Sequence, residues 1–188
     1  MTRTVSISTL ALTLLFAFIP ATSLAQTSTQ ASERPFHVGG GGGVAIELDR
    51  YPTQGAIVEQ FGWHFLGTTD GPFIELSLME SFGSDLFTFQ ATPRVGWDIA
   101  LVRGPSFGLL LAPSVAAGVV VAAVSVNTGF GTRSGSDAAF DVQGAFDVKL
   151  LLLDEQLEIF LRPAAVDLFI DSEVTARYDV LAGANFRF

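Results

Sequence analysis

The sequence contains no cysteine. No disulfide can brace it and no lipidated cysteine can anchor it, so an exported chain of this size must rely on its core or on a closed sheet. Charge is scarce as well: only 15% of residues are charged, ten basic against nineteen acidic. One of the ten, Arg3, lies in a segment expected to be removed, which leaves 9 − 19 = −10. That balance disfavours nucleic acid as a partner, and equally a polybasic dock on anionic lipid.

Long apolar runs are nearly absent, and the two that occur fail as membrane helices. Leu10 to Ile19 follows Arg3 and precedes the small-x-small site Ser23-Leu24-Ala25. This is the layout of a secretory signal cleaved after Ala25, and its apolar part is too short for a retained anchor. The second run, residues 107–124, carries no charge and is long enough to span as a helix. Pro113, several glycines and the β-branched Val119-Val120-Val121 argue for a strand there instead. Residues 26–35 (QTSTQASERP) read as a short polar leader, and 36–188 as one β domain.

What the chain does have is phenylalanine, 17 of them, and a hydrophobic period of two. Phe87, Phe89, Ala91, Pro93, Val95, Trp97, Ile99 and Leu101 alternate with Thr88, Gln90, Thr92, Arg94, Gly96, Asp98, Ala100 and Val102. The pattern recurs in 36–49, 55–65, 72–82, 107–121, 140–152, 157–169 and 178–188, which makes eight segments with 87–102. In 157–169 the apolar phase reads Ile159, Leu161, Pro163, Ala165 and Phe169. Turn residues separate the segments, as in Arg50-Tyr51-Pro52-Thr53, Gly83-Ser84-Asp85 and Asp154-Glu155-Gln156, so successive strands should pair as antiparallel hairpins.

A soluble sandwich or lipocalin-like pocket would also alternate, but a sandwich shows a mostly charged outer face. Here the polar face is Gly, Ala, Ser, Thr and Gln with few charges, which suits a narrow barrel interior. Aromatics cluster where membrane girdles belong: Phe61, Trp63 and Phe65 late in the second segment, Phe87 and Phe89 early in the fourth. The expected fold is all-β: an eight-stranded antiparallel up-and-down transmembrane barrel with both termini periplasmic.

The last segment, 178–188, alternates from Tyr178 through Phe186 to a final Phe188. It resembles the terminal strand of outer-membrane barrel proteins of Gram-negative envelopes, specifically the small eight-stranded class that includes the OmpA and OmpX barrels. The resemblance implies a cell outer membrane location, lipid and lipopolysaccharide as surroundings, and a C-terminal strand read by the barrel assembly machinery through Tyr178, Phe186 and Phe188. It also implies a monomer. Unlike OmpA, the chain is expected to carry no peptidoglycan-binding domain after the barrel.

Inside such a barrel, inward charges should pair. A turn near Ser84 and Asp85 puts Glu75 opposite Arg94, and the turn at 154–156 puts Asp147 opposite Arg162 with Lys149 beside them. These pairs read either as a structural plug or as the gate of a narrow conduit for ions or small apolar solutes. Glu59 and Glu80 fall on the lipid-facing phase, side by side toward the outer rim. They are either a divalent-ion contact to lipopolysaccharide head groups or two charges lying above the hydrocarbon.

Catalytic signals are missing. The small-barrel lipid A deacylases would require a His with Ser two residues on, but His37 is followed by Gly39 and His64 by Leu66. Both histidines fall on the inward phase, where His64 reads as a lumen hydrogen-bonder. Gly39 to Gly43 is no phosphate loop, since neither Lys-Ser/Thr nor a helix follows it, and it is expected to ease close strand approach. Asn127 to Asp137 reads as a long soft loop able to bind something at the surface. No cofactor or metal is expected. The functional expectation is a non-enzymatic envelope component, structural or surface-contacting, with a narrow channel as the alternative.

Overall fold

The structure, a computed structural model, describes residues 33–48, 53–104, 106–127 and 132–188. The expected signal peptide and most of the leader lie outside the described residues. Eight strands follow one another: β1 (Phe36–Glu47), β2 (Gln54–His64), β3 (Gly71–Phe82), β4 (Leu86–Arg103), β5 (Phe107–Asn127), β6 (Thr132–Leu152), β7 (Leu157–Ile170) and β8 (Val174–Arg187). Each pairs antiparallel with its neighbours, and β8 returns to β1 to close the barrel. Closure gives the backbone of every strand partners on both sides, as hydrocarbon requires. Phe188 lies at the seam itself: Phe36 and Phe188 exchange N–H···O bonds of 3.0 Å in both directions.

Alternation decides which side chains face the lumen. Along β2 the burial alternates strictly, with Ile57, Phe61 and Trp63 outside and Val58, Gln60 and His64 within. The outer wall is apolar all round: Ile57, Val115, Val119 and Phe186 are each more than half exposed. Monomeric soluble proteins do not leave so continuous an apolar band in water. No helix among the described residues is long and apolar enough to cross a membrane, and the chain needs none to do so with strands. Residues 107–124 lie within the β5 strand, not in a helix.

The glycines of β1 are required by close approach. A Cβ at Gly39, Gly41 or Gly43 would collide with the carbonyl oxygens of Ala184, Ala182 and Val180 on β8, so this seam closes only with bare backbone.

Two expectations are corrected. The segment from Asn127 to Asp137 is not a long loop: β5 and β6 pair continuously from Phe107↔Leu152 to Asn127↔Thr132, leaving only residues 128–131 between them. Alternating Ser, Gly and Asp on its β6 arm looked like loop chemistry, and long-range pairing overrides that local bias. The β5–β6 hairpin therefore projects past β7, whose last partner on β6 is Phe140. Phe36 and Phe188 mark one end of the barrel, the terminal end, and the β5–β6 hairpin marks the other, the hairpin end.

The second correction concerns β7. Its register shifts between Arg162 and Ala165, so Ala165 and Phe169 turn inward and Val166, Leu168 and Ile170 face out. The bulge sits at Pro163, whose missing N–H cannot continue the ladder. The carbonyl of Pro163 is instead capped by the hydroxyl of Tyr178.

Candidate functional site: the filled lumen

At mid-barrel, Glu75 of β3 stands directly across from Arg94 of β4 in register, with Oε1 3.5 Å from Nη1. Glu75 also meets His37 Nε2 at 3.0 Å and accepts from Gln60 Nε2 at 3.2 Å. Arg94 lies 3.7 Å from Asp147 and donates to Gln143. Arg162 donates Nε and Nη2 to the two oxygens of Asp147 at 2.6 and 2.9 Å, a bidentate geometry that fixes both side chains. Glu75, Arg94, Asp147 and Arg162 thus form one chain of charges across the lumen, not two separate pairs.

Lys149 is not part of it. Sequence neighbourhood placed it beside Asp147, but it lies nearer the terminal end, where Nζ donates to both Asp98 oxygens at 2.9 and 3.1 Å. Glu158 is 3.8 Å away, and the Phe73 ring faces the ammonium at 4.5 Å. Asp98 also binds His64 Nε2 at 2.9 Å and Arg187 Nη2 at 3.0 Å, while Arg187 Nε donates to Glu158 at 2.7 Å. This second cluster is fully buried, and sequence reading missed it because Asp98 of β4 and Lys149 of β6 meet Glu158 and Arg187 of the β7–β8 hairpin across the lumen.

Three turns at the terminal end are tied together below it. Arg103 of β4 reaches Asp70 at 3.2 Å and also binds Glu155. Thr69 donates its hydroxyl to Glu155, and its carbonyl accepts from Arg187 at 2.7 Å. Glu155 ends a run of three residues with positive φ, Leu153 to Glu155, a conformation costly for side chains other than glycine. These bonds hold that turn in place.

A third polar layer lies toward the hairpin end. Gln90 donates to Asp167 at 2.8 Å and to Asp141, Gln143 donates to Asp167 at 2.7 Å, and Arg177 pairs with Asp179 at 3.0 Å. Asp167 reached the lumen through the β7 bulge. Beside these polar layers runs an apolar inner patch of Ala45, Ala56, Val58, Met79, Phe160 and Leu181. Sequence reading expected the inward face to be polar or small, and Val58, Met79, Phe160 and Leu181 depart from that, with Phe160 lying against Gly183 of β8.

On the outside, girdle aromatics meet where expected: Phe36 stacks 6.5 Å from Trp63 and 5.9 Å from Phe188, and Trp63 meets Phe65 edge-on at 5.1 Å. Phe82 and Phe87, 5.4 Å apart, mark the hairpin end. Tyr178, Phe186 and Phe188 all lie on the outer phase of β8 and the chain's last residue. The two outward acids separate in depth. Glu59 sits mid-strand between Gly40 and Leu78, and only Glu80, opposite Ile57 and Phe89, approaches the girdle. Among the described residues no group of three or more His, Asp or Glu is arranged to hold a metal ion.

No family model and no curated protein matches the chain. Solved structures do match. The N-terminal β-barrel domain of Pseudomonas aeruginosa OprF aligns over 85% of this chain and 100% of its own, with a TM-score of 0.51 at 14% identity. Neisserial surface protein A aligns over 85% and 99%, with a TM-score of 0.50 at 10% identity. The attachment invasion locus protein Ail of Yersinia pestis covers 85% and 100% at 13% identity, but its TM-score of 0.42 adds no weight. At these identities the likeness is one of fold: this chain has the closed eight-stranded antiparallel barrel of the small outer-membrane proteins.

Proposed function

We propose that the chain is a non-enzymatic outer-membrane protein whose barrel is sealed by its own side chains, serving as a structural or surface-contact part of the cell envelope. The terminal end faces the periplasm, and the β5–β6 hairpin projects outward. The observation that carries this reading is the lumen itself. Arg94, Arg162, Lys149 and Arg187 are each at most 2% exposed and each ion-paired inside the lumen, alongside an apolar patch that offers water no partners. An eight-stranded barrel has room for side chains and little else, and a conduit would need these pairs to separate. The outward alternation of β8, ending where Phe188 closes the seam, supports Tyr178, Phe186 and Phe188 as the signal for assembly.

Planar-bilayer recording of the reconstituted barrel tests this. A flat trace is expected for the wild type and for Arg94→Ala. Discrete openings in the wild type that Arg94→Ala enlarges would replace the sealed barrel with a gated conduit.

A further inference from the structure

At mid-depth the outer wall carries a side chain that acyl chains do not suit. Glu59 of β2 points outward, and in register it lies between Gly40 of β1 and Leu78 of β3. Along β2 it is four residues from Trp63, in the girdle at the terminal end. It is also four residues from Gly55, whose partner Phe82 meets Phe87 at the hairpin end. That is about 13 Å of strand from either girdle, so Glu59 stands in the middle of the apolar band. Among the described residues it has no hydrogen-bond or ion-pair partner. The cation nearest in the chain, Arg50, precedes Gln54, which is itself about 17 Å of strand from Glu59.

Beside Glu59 the wall is recessed. A groove of about 570 Å3 runs over Gly40, walled by Val38, Ile57, Phe61, Leu76 and Leu78. Past Gly40 and Gly42 come Ala184 and Ala182 of β8, so small residues lie on the β1 side of Glu59 and leucines on its β3 side. In hydrocarbon a charge is costly, and an uncharged carboxyl still carries a donor and an acceptor with nothing to meet them. A second carboxyl meets both at once. Small residues that allow close approach, next to a polar side chain that bonds across the contact, are the combination that associates segments within a membrane.

An identical barrel supplies that second carboxyl. Two copies inserted in the same direction can be related by a twofold axis along the membrane normal, and such an axis brings each residue to its own depth in the partner. Glu59 then meets Glu59, and the β1 side of each barrel lies against the β3 side of the other, small residues against leucines. We propose that two copies of this barrel pair side by side in the membrane through the β1–β3 face, with their Glu59 carboxyls hydrogen-bonded to each other at the axis. This departs from the monomer that the resemblance implies. Glu59 burdens a single barrel, and the burden is offset only when two barrels meet.

The test is energy transfer between donor- and acceptor-labelled full-length mature barrels in phosphatidylcholine vesicles across a lipid-dilution series, with fold checked by heat-shift on a gel. The chain has no cysteine, so Ser84→Cys on an exposed turn gives one labelling site. Transfer above random encounter is expected, and excess unlabelled barrel should abolish it. Pairing should weaken about tenfold in Glu59→Leu and persist in Glu59→Gln, whose amide also donates and accepts. Ala184→Phe, which fills the small-residue side, should weaken it too, and Val119→Phe on the outward face of β5 should not. The proposal is overturned by transfer no greater than random encounter, by undiminished pairing in Glu59→Leu, by Glu59→Gln as weak as Glu59→Leu, or by equal weakening in Val119→Phe. The pairing rests on the outer-membrane reading, in which this wall faces acyl chains, and bromolipid quenching of Trp63 and Trp97 checks that separately. Quenched tryptophans without excess transfer overturn the pairing alone.

Discussion

Removing the guanidinium of Arg162 should destabilise the barrel far more than replacing the whole ion pair. Arg162 is 1% exposed and spends two donors on Asp147. In Arg162→Ala the Asp147 carboxylate stays buried with Arg94, at 3.7 Å, as its remaining cation. Breaking a buried pair in this way costs about 3–5 kcal/mol, and the nearby Arg94 places the expected loss toward about 3 kcal/mol. In the double variant Asp147→Leu/Arg162→Met no charge is stranded, because Arg94 keeps Glu75 at 3.5 Å. Its cost is expected near 1 kcal/mol, so the coupling between the two positions is about 2 kcal/mol or more. Urea unfolding from lipid vesicles measures this, with Trp63 and Trp97 as reporters that leave the outer wall on unfolding. A loss below about 1 kcal/mol for Arg162→Ala, or additive costs across the cycle, would refute the view that these charges are desolvated and interdependent.

Other perturbations probe other parts of the account. Glu59→Leu removes a carboxylate from the middle of the lipid-facing wall and should stabilise the barrel by about 1–2 kcal/mol in the same unfolding assay. Gly41→Val puts side-chain atoms into the Ala182 carbonyl at the β1–β8 seam, so the heat-shifted compact band should disappear from gels. Tyr178→Phe strands the Pro163 carbonyl at the β7 bulge and should cost about 1–3 kcal/mol in urea unfolding.

The architecture was legible because a lipid-facing sheet imposes a period of two on every strand, and little else in the chain competes with it. All eight segments lie within or across observed strands, and Glu75 faces Arg94 because a short turn dictates its own register. What stayed hidden depends on events that break the period or join distant strands. A single bulge at Pro163 reversed the phase of β7, carrying Asp167 and Phe169 into the lumen where alternation had put Phe169 outside. The polar segment ahead of Phe140 resembled a loop locally and was recruited into β6 by pairing with β5. Lys149 lies two residues from Asp147 and pairs with Asp98 and Glu158, because long side chains in a narrow lumen choose partners across it. The tie between Arg103, Asp70 and Glu155 joins three turns, and nothing in their separate sequences announces it.

The most direct test of the account is tryptophan quenching in vesicles of the wild-type protein. Trp63 and Trp97 are the only tryptophans, and both point outward, 42% and 51% exposed on the sheet's outer face. Lipids brominated on their acyl chains should quench both strongly, while aqueous iodide should barely reach them. Ready quenching by iodide with bromolipids silent would mean that the apolar wall does not face acyl chains, and the barrel described here would be inside out.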